Sequence, residues 1–357
     1  MLAIGIVGLP NVGKSTLFNA LTDADALAAN YPFATIEPNT GIVPIPDERL
    51  NKLAEIYKTD KIVPATVTFV DIAGLVAGAS QGEGLGNQFL AHIRGTNAIC
   101  QVVRAFDDPN VQRSGPTDPR QDIEIINTEL ILADLQTLNN RLPRLEKEAK
   151  ADPKLKPMQD VYAKLKAGLE EGKLAGSFLD ADERELISDL QLLSAKPFLF
   201  VYNLGENQLG DEKVKADLAA IVSPAPSVFV SAKLESELRG LDETDRKELL
   251  DSYGQKESGL VQLIHAAYSA LGLQSFLTAG EKEVRAWTIP KNATAPQAAG
   301  VIHTDFERGF IAAQVVDYKD LIAAGSEAAA RAAGKIRTEG KTYIMQPNDV
   351  VEFKFNI

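Results

Sequence analysis

Gly8-Leu9-Pro10-Asn11-Val12-Gly13-Lys14-Ser15 sets two glycines around a tight turn and closes it with a lysine and a hydroxyl. This is the phosphate-loop spacing, G-x-x-x-x-G-K-[ST]. Glycines at those places let main-chain amides turn inward and cradle phosphate oxygens at the start of a helix. Asn11, Val12, Gly13, Lys14, Ser15 and Thr16 are therefore the expected nucleotide-binding stretch. Lys14 is expected to reach the β and γ phosphates, which gives it a catalytic role, and the Ser15 hydroxyl to ligate Mg2+. Asp71-Ile72-Ala73-Gly74 supplies the carboxylate expected near that metal, with Gly74 allowing an amide to meet the γ phosphate. Thr35, in the intervening loop, is the expected second hydroxyl on magnesium.

A second constellation concerns the base. Asn203-Leu204-Gly205-Glu206 ends an apolar strand where a guanine reader would carry Asn-Lys-x-Asp. The aspartate of that pattern accepts two hydrogen bonds from guanine, and the lysine stem covers the ring. Leu204 cannot supply the same stem, and Glu206 is one methylene longer, so guanine preference should weaken. Ser231-Ala232-Lys233 follows the next apolar strand and fits a loop whose main chain meets the base, so Ser231 and Ala232 join Asn203, Leu204 and Glu206 as nucleotide contacts. Leu75 stands where Ras-type enzymes keep a water-orienting glutamine, which predicts slow hydrolysis or positioning by another group.

The elements needed to hold these loops are readable. Apolar runs at 2–8, 65–70, 98–103, 197–202 and 227–230 are separated by helical segments, the signature of a parallel α/β sheet. Between the third and fourth runs, Ile131, Leu135, Leu138, Leu142 and Leu145 alternate in steps of four and three, the seam of a paired helix. Met158, Val161, Tyr162, Leu165 and Leu169 suggest its partner across the turn ADPKLKP, and Pro143 is expected to kink or end the first helix. From Phe276 onward short strands at 284–289, 310–316 and 350–355 surround a helix at 318–324, a separate small α+β domain.

The chain has 357 residues, 45% hydrophobic and 24% charged, which is globular composition. A net charge of −12 disfavours a dedicated nucleic-acid binder and gives no reason to expect DNA as a partner. The stretch from Leu138 to Lys173 departs from this, with nine Lys or Arg against six Asp or Glu. It reads either as an RNA-facing strip or as the solvated face of a charged hairpin. The one cysteine, Cys100, fits a reducing cytoplasm and a small buried residue. No run reaches about 18 apolar residues, so no membrane span or membrane partner is expected. His92, His265 and His303 lack partners at ligand spacing, which argues against a zinc-type site.

The strings GLPNVGKST, NYPFATIEPNTG, DIAGLVAGASQGEGLGNQFLAHIR, NLGE, IHTDFERGFIAAQVV and VVEFKFNI span nearly the whole chain. Through them the sequence resembles the YchF-type Obg-like ATPases. The resemblance implies an α/β, Ras-like P-loop NTPase core over 1–120 and 196–275, an inserted coiled-coil hairpin over 121–195, and a C-terminal β-grasp (TGS) domain over 276–357. It implies ATP as the usual nucleotide with GTP weaker, Asn11 helping to hold K+ beside the phosphates, and association with ribosomes, at the large subunit or its rRNA. Two positions depart from the pattern. Gln112 stands where many members have a histidine thought to assist hydrolysis; glutamine can orient water but cannot take up a proton. Ala77 replaces a common lysine and is expected to alter a surface contact.

The leading expectation is a slow ATP-hydrolysing switch with catalytic Lys14 and Gln112. Two other readings stay open: a GTP-specific switch, and a regulatory binding module that uses nucleotide as a structural ligand.

Overall fold

The computed structural model describes residues 2–22, 39–73, 85–108 and 117–356, with only the backbone of 85–87. Thr35, Gly74, Leu75, Ala77 and Gln112 lie outside the described residues. In chain order the elements are β1 (Ala3–Val7), α1 (Lys14–Thr22), β2 (Thr40–Pro44), α2 (Glu48–Tyr57), β3 (Ile62–Val63), β4 (Thr66–Asp71), α3 (Leu85–Arg94), β5 (Ala98–Ala105), α4 (Pro119–Ala151), α5 (Lys156–Glu170) and α6 (Ala181–Leu186). They continue as β6 (Phe198–Leu204), α7 (Glu212–Val222), β7 (Ser227–Val230), α8 (Ala232–Glu237), α9 (Glu243–Ser252), α10 (Gly259–Ala270), β8 (Leu273–Ala279), β9 (Val284–Pro290), α11 (Ala295–Ile302), α12 (Thr304–Arg308), β10 (Phe310–Asp317), α13 (Tyr318–Ala324), α14 (Glu327–Ala332), β11 (Arg337–Glu339) and β12 (Asp349–Phe355).

The described residues fall into two compact units, one of 2–22, 39–41, 68–73, 85–108 and 117–267, the other of 42–67 and 268–356. The first sheet has the order β2-β4-β1-β5-β6-β7. β1 pairs in parallel with β4 and β5, β5 with β6, and β6 with β7. All five residues of β1 are buried, as its unbroken apolar run requires in a sheet covered on both faces. One covering layer joins Val7 and Ile99 to Phe89 and Ile93 of α3 and to Ile126 and Leu130 of α4.

α4 begins where Asp118 accepts from the Gln121 amide at 3.1 Å and Pro119 occupies the first turn. It runs for 33 residues and changes its partner on the way. Its first half packs on the sheet; beyond it, Ile131, Leu138 and Leu145 join Val161, Tyr162, Leu165 and Leu169 of α5, so the hairpin grows out of a core helix. The helix does not end at Pro143. A mid-helix proline costs about 3 kcal/mol. Burying each of Leu138, Leu145, Leu165 and Leu169, all at most 1% exposed, contributes roughly 2 kcal/mol. Apolar burial on both sides of the proline therefore outweighs the missing backbone bond.

The second unit holds the sheet β11-β10-β12-β8-β9-β3. β10 is antiparallel to β11 and β12, β8 to β9, while β12 runs parallel to β8 and β3 to β9. Phe276, Ile289, Ala298, Phe310, Val315 and Phe353 form its core. The architecture is an α/β, Ras-like P-loop core with an inserted helical hairpin, and a C-terminal β-grasp fold whose sheet is mixed. No helix among the described residues is long and apolar enough to cross a membrane.

Candidate nucleotide site

The carboxyl ends of β1, β4, β5 and β6 open on one cavity of about 1120 Å³. That is ample for a nucleotide, since ligand pockets run to roughly 1,000 Å³, and the crevice beyond the carboxyl ends of parallel strands is where such sheets bind ligands. Its wall includes Asn11, Gly13, Lys14, Ser15, Thr16 and Asp71 on one side and Asn203, Leu204, Glu206, Ser231, Ala232 and Lys233 on the other.

The P-loop passes from the buried β1 into α1 through two left-handed residues, Asn11 at φ 63 and Gly13 at φ 91. Gly13 is required twice over, because a Cβ there would also collide with the Asn203 amide. Val12 is 1% exposed, so any contact it makes with a nucleotide comes from its main chain. Lys14 is 9% exposed and its ammonium pairs with the Asp71 carboxylate, a contact spanning 57 residues of sequence. Ser15 and Thr16 are exposed on the same wall.

Asn203 is 5% exposed and joins the two halves of the site. Its amide nitrogen donates to the Val12 carbonyl at 2.9 Å, and its oxygen accepts from the Ala232 amide at 2.9 Å. Both ends of the side chain are thus engaged by main chain, which fixes the P-loop against the loop after β7. Leu204 lines the cavity but is only 2% exposed and packs with Leu209, Leu234, Leu238 and Leu250. It supports the floor and does not present a stem to a base as lysine would.

Glu206 receives the Lys233 ammonium at 2.8 Å, and this bond raises the pKa of Lys233. The loop bearing Lys233 is held from behind. Ser231 caps α8 through the Leu234 amide, and Glu235 accepts from Ser258 Oγ at 2.6 Å and the Gly259 amide at 2.7 Å. Burial pushes the Glu235 carboxyl above its ordinary range, against the pull of those bonds.

Ser15 and Asp71 offer a hydroxyl and a carboxylate on one cavity wall. Hard oxygen donors of this kind suit magnesium, which keeps several waters and takes its remaining ligands from phosphate. Sequence reasoning did not single out Phe106, Asp107 and Asp108, which also line the cavity. The Arg104 guanidinium lies 4.5 Å from the Phe106 ring centroid, and Thr117 donates to Asp107 at 2.7 Å. Their position directly after a parallel strand was the available signal.

Fold and site together define a P-loop nucleoside triphosphatase. Residues 3–142 match the family model described as "50S ribosome-binding GTPase", and 273–356 match YchF-GTPase_C, described as a "protein of unknown function". The chain is 51% identical over 364 residues to the ribosome-binding ATPase YchF of Bacillus subtilis, covering 100% of both. It is 51% identical over 358 residues to the protein of that name from Escherichia coli O157:H7, covering 99% of each. The solved YchF GTPase of Schizosaccharomyces pombe superposes with a TM-score of 0.87 at 40% identity, over 99% of this chain and 97% of that one. This chain belongs to the YchF family.

Proposed function

We propose that the protein is a slow, magnesium-dependent ATP-hydrolysing switch whose nucleotide state governs its hold on the ribosome. The observation that carries the reading is the single cavity joining the P-loop and Asp71 to Glu206, an acidic residue altered from the guanine-reading pattern. Full-length relatives named ribosome-binding ATPases support the ribosome as partner.

In this scheme Asn11 to Thr16 cradle the phosphates, and Lys14 leaves Asp71 to neutralise developing phosphoryl charge. Ser15, Thr35 and Asp71 would hold Mg2+, which draws charge from the β and γ phosphates when bound. Asn11 would also help hold K+. Gln112 orients the attacking water, replacing the glutamine that Leu75 lacks. Asn203, Leu204, Ser231 and Ala232 shape the base pocket, and Glu206 faces the base. The core occupies 1–120 and 196–275, the hairpin 121–195 and the TGS domain 276–357. Contact is with the large subunit or its rRNA, in the cytoplasm, and GTP binds more weakly than ATP.

A GTP-specific switch is the second reading, favoured by the name of the fission-yeast relative as a GTPase. Cosedimentation of the full chain with ribosomes in ATP, ADP, a non-hydrolysable ATP analogue and the GTP counterparts tests both. Ribosome binding that differs between ATP and ADP supports the switch. Binding indifferent to all nucleotides refutes it, and a response confined to GTP establishes the second reading.

A further inference from the structure

Glu206 is the cavity's acidic residue at the base-reading position, and one of its oxygens is already engaged. Lys233 Nζ lies 2.8 Å from Oε2, with Glu237 a further 3.8 Å neighbour of the same ammonium. Both partners line the nucleotide cavity. The Glu206 side chain is 20% exposed, while that of Lys233 is 72% exposed. The lysine thus reaches down from the rim onto a carboxylate set in the wall.

We infer that Lys233 is a specificity-determining residue: by clamping one oxygen of Glu206, it turns a carboxylate able to grip guanine into a single acceptor suited to the amine of adenine. This rests on the ATP reading above and deepens it. Guanine presents two adjacent donors, N1–H and the exocyclic N2 amine, and is held well only when both carboxylate oxygens are free to accept side by side. Adenine presents one exocyclic amine beside N1, which is itself an acceptor. A carboxylate with one oxygen committed to an ammonium can satisfy adenine's single donor. Facing guanine, the oxygen that already holds the ammonium must accept a second donor, with loss of strength and alignment in both bonds, whereas adenine's one amine can use the other oxygen alone.

The Lys233 side chain is exposed, but the backbone on both sides of the pair is anchored. Lys233 is the second residue of α8 (Ala232–Glu237), whose start is fixed by the Ser231 cap and by the Asn203 bond to Ala232. The buried Glu235 ties the same helix to Gly259. Glu206 starts the short turn after β6, where Gln208 bonds back to the Gly205 amide at 2.9 Å. The two groups are therefore presented to each other by anchored backbone on either side.

The test is equilibrium binding of labelled ATP and GTP, in magnesium, to the nucleotide-free full chain and to its Lys233→Met, Lys233→Arg and Glu206→Gln variants. Lys233→Met is expected to lower the ratio of ATP to GTP affinity by about tenfold, the scale of one charge-assisted hydrogen bond. Lys233→Arg, which keeps the ion pair, should stay near the parent. Lys233→Met should change the ratio much less in the Glu206→Gln background, where no carboxylate is left to free. An unchanged ratio in Lys233→Met, or equal loss of both nucleotides, overturns the inference while leaving the ATP reading intact. A parent protein that prefers GTP overturns the ATP reading itself. Unfolding midpoints of the variants identify any that lose binding by failing to fold.

Discussion

The ammonium of Lys14 is paired with the carboxylate of Asp71, so the phosphate-loop cation and the carboxylate ending β4 hold each other on the cavity wall. In the proposed scheme a nucleotide parts them, giving Lys14 phosphate oxygens in exchange. Lys14→Ala should lower ATP affinity by more than about a hundredfold, as expected from losing a charged contact of roughly 3 kcal/mol, and should stop hydrolysis. Titration with labelled ATP and a phosphate-release assay check this. Hydrolysis surviving in the variant would sink the catalytic role given to Lys14.

Asn203 bridges Val12 and Ala232, so its loss acts on both loops at once. Asn203→Ala leaves a buried carbonyl and a buried amide without their partner, each costing about 1–3 kcal/mol. Affinity for ATP and GTP should fall together, with a lower unfolding midpoint. This separates Asn203, which positions the loops, from Lys233, whose loss should change the ratio between the nucleotides. A selective loss of one nucleotide would instead place the Asn203 amide against the base.

Much of this was readable from local pattern. Phosphate-loop spacing, unbroken apolar strands and the leucine seam are short-range signals, and each element stands where those signals put it. What escaped was non-local. β8 (Leu273–Ala279) buries residues without clean alternation, and two residues of β3 carry no pattern that says they will join β9 across more than two hundred positions. The Glu206 to Lys233 pair joins side chains 27 residues apart on different loops. Of the kink or end expected at Pro143, the end does not occur, because the local breaker rule competes with apolar burial on both sides of the proline.

Pro143 predicts a stabilising substitution. Its ring removes one backbone donor inside α4, between Leu138 and Leu145, which already face α5. Pro143→Ala restores that bond and the better helix former, and should raise hairpin stability by about 1–3 kcal/mol. Hydrogen exchange should show stronger protection of amides 140–147. Unchanged or weaker protection would mean that the helix has adapted to the proline.

Cys100 lies in the middle of β5, 0% exposed, and burial pushes its thiol pKa up to about 12. The thiolate is the reactive form, so the native protein should resist alkylation at pH 8. Full labelling is expected only after denaturation. Rapid native labelling, followed by mass spectrometry, would reveal that the central sheet opens locally.

Asp134 on α4 ties the hairpin base to the chain entering β6, and it is 1% exposed. It accepts from the Leu193 amide at 2.9 Å, the Ser194 amide at 2.8 Å and Ser194 Oγ at 2.7 Å. Asparagine turns an amide nitrogen towards these donors, so Asp134→Asn should destabilise the protein by about 2 kcal/mol where the contribution of the carboxyl is full. Burial raises the Asp134 pKa, and the three donors that lower it do not offset that. A carboxyl whose folded pKa lies above its unfolded value binds more protons in the native state between the two. Its contribution is therefore fully present below the ordinary carboxylate range and is lost as pH rises through the raised folded value. The stability gap between the parent and Asp134→Asn should accordingly be widest at acid pH and narrow on the way to neutrality. Denaturant unfolding of both proteins across that window measures the gap, and a gap that widens with rising pH would show that the donors, not burial, govern this carboxylate.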